Sequence, residues 1–192
     1  MSRQFWSETI AWATASGTSI ANTTTETILF PNITIPASYF QDGRVIRITA
    51  YGAYGTTATP TLKFALRWGG VAGTVLAAQA ANVTTSGVGA GASMTALWKL
   101  EAIIQVRING ATGTLFTNGA STLFTNTLLT AGTVTNYGQV APLVSGSTGG
   151  STPVAVTVDL TADTALSITA TWGTANAANS IRGDQYIVEA LN

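Results

Sequence analysis

WKLEAIIQVRING, Trp98–Gly110, is the stretch on which the fold turns. Trp98, Leu100, Ala102, Ile104, Val106 and Ile108 fall on one side of an extended chain, and Lys99, Glu101, Gln105 and Arg107 on the other. Period-two alternation of this kind marks a strand with one buried and one wet face, because successive side chains of a strand point in opposite directions. Ile103 alone breaks the polar side.

The same period recurs on both sides of this stretch. In Arg44–Tyr51, Ile46, Ile48 and Ala50 alternate with Arg47, Thr49 and Tyr51, and in Thr61–Trp68, Leu62, Phe64, Leu66 and Trp68 alternate with Lys63 and Arg67. Gly69-Gly70 ends the latter strand, and a looser alternation resumes over Val71–Leu76. Further strands are expected near Thr9–Ala15, Thr25–Phe30 and Ile33–Ile35. Toward the C-terminus they are expected over Val154–Leu160, with Val154 inward, Ala165–Trp172 and Ile181–Leu191. PASYFQDG, Pro36–Gly43, reads as a single helical turn closed by Asp42-Gly43. TLFTN occurs at Thr114–Asn118 and again at Thr122–Asn126, and two copies are too few for a solenoid. The repeat reads as two short strand pieces about an Asn118-Gly119 turn. Asn82–Ser93 and Pro142–Pro153 read as loops. Many strands, long irregular connections and no crossover helix predict an all-β chain, a two-sheet antiparallel sandwich of jelly-roll type. Residues 1–22 are expected to form an N-terminal arm and residues 23–192 a single sandwich domain.

Composition narrows the chemistry. Of 192 residues only 8% are charged, eight basic against eight acidic, and 46% are hydrophobic. A chain of zero formal net charge has no field to gather nucleic acid or an anionic membrane, so neither is expected as a partner. With no cysteine and no histidine, thiolate nucleophiles, imidazole bases, Ser-His-Asp triads and Cys- or His-ligated zinc are excluded. MSRQFWSETIAW carries no long apolar run, so a soluble chain without a secretion signal is expected. No cofactor, no metal and no enzymatic activity are expected.

Several residues invite a sharper reading. Arg182-Gly183-Asp184 is the integrin-recognition tripeptide, but a glycine-containing bulge beside the last strand explains it as well. Asp159 and Asp163 are too few for a calcium loop and suit a turn. A glycosidase needs two facing carboxylates, whereas Glu8, Glu26, Glu101 and Glu189 each lie on the polar side of an expected strand. Lys63 and Arg67 read as strand surface. Trp68, Trp98 and Trp172 read as core. Phe5, Trp6 and Trp12 differ, because they precede the regular strands, and they are the candidate partner-binding residues, since aromatic side chains anchor interfaces.

NTTTETILFPNITIPASYFQDGRVIRITAYGAY, TPTLKFALRWGGVAGTVL, WKLEAIIQVRINGATGTLFTNG and DLTADTALSITATWGTANAANSI, in that order, resemble small structural proteins of tailed double-stranded DNA bacteriophages. The resemblance runs over most of the chain, roughly Asn22 to Ile187. It implies a jelly-roll module that assembles as a homotrimer on the outer surface of the virion. There it would act as a capsid decoration or cement protein bridging major capsid protein subunits. The alternative it leaves is a head-fibre, tail-fibre or receptor-binding module recognising a host-surface glycan or receptor.

Overall fold

The computed structural model describes residues 7–56, 60–79, 83–84, 94, 96–124, 139–146 and 152–191, and all regular structure among them is β. Trp98–Ile108 forms most of the longest strand, β9 (Ala96–Ile108). It lies between β5 (Val45–Gly55) and β10 (Gly113–Leu123), antiparallel to both. Beyond β5 comes β14 (Ser180–Ala190), whose far edge carries β1 (Glu8–Trp12) and β2 (Ile20–Ala21). These strands form the first sheet.

The second sheet centres on β6 (Thr61–Trp68), flanked by β13 (Thr164–Trp172) and β7 (Thr74–Gln79). β3 (Thr27–Ile28) and β4 (Ile33–Ile35) line the outer edge of β13, and β8 (Val83–Thr84) pairs with the start of β6. β11 (Gln139–Ser145) pairs with β10 through Gln139–Leu143 and with β7 through Leu143–Ser145, so one hydrogen-bonded path links the two layers. β12 (Val156–Val158) covers the remaining edge of β10. The orders β1/β2-β14-β5-β9 and β3/β4-β13-β6-β7 are the pairings of an eight-stranded jelly roll, with β10–β12 inserted along one edge.

The inner faces supply the core. Trp98 and Trp172 are buried, as is Trp68. Phe64 on β6 meets Trp98 on β9 with ring centroids 5.0 Å apart, and Phe30 packs edge-on against both Trp98 and Tyr186. Each large side chain taken out of water here contributes about 1.5–3 kcal/mol, which makes this aromatic contact a principal bond between the layers.

Four expectations are corrected. Pro36–Gly43 is not a helical turn: Tyr39 N–H donates to Pro36 C=O in a β-turn with Ser38 at positive φ, while the expected Asp42-Gly43 turn is present as a separate β-turn in which Arg44 N–H donates to Gln41 C=O and Gly43 has positive φ. Asn118-Gly119 is not a turn but the middle of β10, where Gly119 pairs with Ala102; a Cβ at Gly119 would overlap the Glu101 carbonyl oxygen, so the close strand approach itself requires glycine. Thr125 and Asn126, the end of the second TLFTN, lie outside the described residues. Pro142–Ser145 is strand, not loop. Pro142 is tolerated because β11 has only β10 beside it at that point. Finally, Val154 and Ile108 face out, not in. Val154 precedes β12, and a bulge between β9 and β10 opposes Val106 to Leu115 and Ile108 to Thr114, which leaves Arg107 as the extra residue and turns Ile108 over.

Candidate interaction surface

An antiparallel sheet with one solvated face ordinarily carries polar residues there. The outer face of the first sheet departs from this. Of the nine large hydrophobic residues exposed among the described residues, eight lie on it: Trp12 on β1, Ile187 on β14, Tyr51 on β5, Leu97, Ile103 and Ile108 on β9, Phe124 just after β10, and Val140 on β11. Val154 is the ninth. The register places them across adjoining strands. One row runs Trp12, Ile187, Thr49, Glu101, Ala120, Pro142, and the next runs Gln185, Tyr51, Lys99, Thr122, Val140. The outer face of the second sheet has no exposed large hydrophobic side chain among the described residues.

Charges on the apolar face are largely matched within it. Arg47 Nη2 lies 2.8 Å from Glu189 Oε2, Lys99 Nζ 2.9 Å from Glu101 Oε1, and Arg182 Nε 2.6 Å from Asp184 Oδ1. The hydrogen bond to Glu101 raises the Lys99 ammonium above its ordinary range. Arg107, the remaining cation there, stacks 3.9 Å over the ring of Phe116. These pairs are exposed and add little stability, but they leave the face without an extended patch of one sign.

The opposite face holds a different arrangement. Glu26, just before β3, accepts from Arg67 Nε and Nη2 at 2.6 Å each and from Thr169 Oγ1, while Arg67 Nη1 donates to Gly73 C=O at 2.8 Å. Burial alone would raise the Glu26 carboxyl; the hydrogen bonds from Arg67 and Thr169 and the charges of Arg67 and Lys63 outweigh it and hold it below the ordinary value. Lys63 and Arg67 thus lie on the outer side of β6 as the alternation required, in a cleft with Thr24 and Thr171. Arg67 is a part-buried clasp that ties the β3 segment to β6 and β13, with no more than a fifth of its side chain exposed.

Of the candidate arm, Phe5 and Trp6 lie outside the described residues. Trp12 is 59% exposed. Its backbone, however, is paired with Ile187, and Ile10 and Ala11 pack against the core, so residues 8–12 and 20–21 are edge strands of the first sheet rather than a segment apart from it. Arg182-Gly183-Asp184 forms the bulge where β14 shifts register against β5. Its two charged side chains bind each other and Gly183 faces Phe30, which leaves no open arginine-aspartate pair for a receptor. Asp159 accepts from the Thr161 hydroxyl and N–H, which lower its carboxyl in that order, and Asp163 accepts from Ala37 N–H at 2.7 Å. Glu8 accepts from the Tyr39 hydroxyl at 2.9 Å. Among the described residues no three acidic side chains are grouped as a metal site would require.

Alternation alone passed over the apolar face, although it left a trace: Ile103 on the polar side of β9 is the centre of that face. Leu97, Tyr51 and Ile187 gain meaning only when the register brings them beside it. No protein-family model and no curated protein matches this sequence.

Proposed function

We propose that this protein is a non-enzymatic structural subunit of a tailed-phage virion, a decoration or cement protein on the outer surface of the capsid. It assembles with copies of itself, as the resemblance implies for a trimer, and bridges major capsid subunits. The observation that carries the reading is the concentration of eight exposed large apolar side chains on one face of one sheet. Large apolar side chains gathered on one exposed face mark a contact site where the same residues scattered singly would not. The short, uncharged Thr, Ala and Asn side chains around it lose little rotamer freedom when covered, which suits a subunit packed densely against neighbours. Zero formal net charge sets the chain apart from packaged DNA and makes such contacts insensitive to salt. The resemblance to phage structural proteins supplies the setting.

Mixing the purified protein with emptied phage capsids and with tail fractions, and imaging both by electron microscopy, tests this. Regular density on the shell, reduced by Leu97→Arg, supports the reading. Bare shells with density on tails or fibres overturn it in favour of a fibre or receptor-binding module.

A further inference from the structure

We infer that the outer face of the first sheet seats a second copy of this chain, so that neighbouring copies bury Leu97, Ile103 and Tyr51 against each other. The inference rests on reading that face as a contact surface and names its occupant. Size is the first argument. Six strands, β1, β14, β5, β9, β10 and β11, lie side by side across the face. At about 4.8 Å between strands and about 3.3 Å per residue along them, with β1 and the β10-paired part of β11 covering only about half the length of their neighbours, the face measures roughly 600 Å². That approaches the ~800 Å² per partner of a standard stable interface.

Charge is the second argument. Arg47, Lys99 and Arg182 are each matched by a carboxylate on the same face, so it offers no extended patch of one sign to steer an oppositely charged partner. A surface that is apolar and internally compensated is complementary to itself. Setting it against its own copy opposes no extended like-signed patch, and Arg107, the cation of this face that has a ring rather than a carboxylate beside it, lies over Phe116 near the end of β9. The Lys99–Glu101 pair, between Leu97 and Ile103 on β9, can be covered as a neutral unit.

Light scattering on the purified chain after size exclusion tests the occupant directly. The native chain at tens of micromolar should run at a whole-number multiple of 19.7 kDa, two or more copies, and Ile103→Arg should run as a single chain. Because the chain has no cysteine, Ile103→Cys provides a second readout that does not depend on the arginine variant folding. Mild oxidation should link it into covalent pairs. A native chain that runs as a monomer overturns the inference, as does an oligomer that Ile103→Arg leaves intact and Ile103→Cys fails to cross-link. Self-association without shell density would retain this inference and remove the capsid reading; a monomer that decorates shells would do the reverse.

Discussion

Gln79→Leu is the sharpest test of how the two layers are joined. The ladder of β6 changes neighbour at Phe64: Ala65 pairs with Ala78 of β7, whereas Leu62 pairs with Val83 of β8. The Phe64 N–H is satisfied instead by the fully buried Gln79 side chain, whose Oε1 accepts at 2.8 Å and whose Nε2 donates to Ser121 Oγ on β10 at 2.5 Å. One amide therefore fills a gap in the second sheet and fastens it to the first. Leucine has a similar volume but neither polar atom. The substitution orphans a buried backbone donor, at about 1–3 kcal/mol, and removes a second bond of about 1 kcal/mol. Added burial of the leucine offsets part of this. The net loss should be about 2–3 kcal/mol, a fall of roughly 4–12 °C in melting temperature for a chain of this length. Urea unfolding at a fixed protein concentration measures it, with the midpoint lowered and the slope unchanged. Ser121→Ala should then cost about 1 kcal/mol in the native chain and close to nothing beside Gln79→Leu. A Gln79→Leu chain within about 0.5 kcal/mol of the native one would refute the reasoning, because surface changes fall in that range and orphaned core donors do not.

Two further outcomes follow from the clasp and from the strand through Gly119. The Glu26 carboxyl is held below its ordinary 4.5, so its share of stability is fully present above that pH and is lost as the pH falls through the lowered folded value. Urea midpoints of the native chain should therefore drop more steeply between about pH 5 and 3 than those of Glu26→Gln, and parallel profiles would show that Arg67 does not hold the carboxylate. Gly119→Val should destabilise by about 1–3 kcal/mol or more, since its Cβ has no room against the Glu101 carbonyl and Ala102. A melt indistinguishable from the native one would mean that the chain turns at Asn118-Gly119 after all.

Much of the architecture was legible from local pattern. Period-two alternation identified Thr61–Trp68 and the cores of β5, β9 and β13, because burial of one strand face imposes that period whatever the neighbour is. It also set Trp68, Trp98 and Trp172 inside. Local pattern failed where a residue answers to something distant. Asn-Gly signals a turn by its own conformational freedom, yet Gly119 is there for the close approach of β9. Pro142 reads as a breaker until β11 is seen to have one neighbour at that point.

The candidate site divides the same way. Composition by itself removed whole classes of chemistry, since a side chain that is absent cannot act wherever the chain folds. The sequence also marked Trp12 as an unusual aromatic and Ile103 as a break in a polar row. Only the tertiary structure decided that these two belong to one surface, and that Glu26 and Arg67, 41 residues apart, close a clasp on the other side. The physical reason is that alternation reports which face of a strand a residue occupies, while a surface is assembled from strands whose order and register are set by long-range pairing.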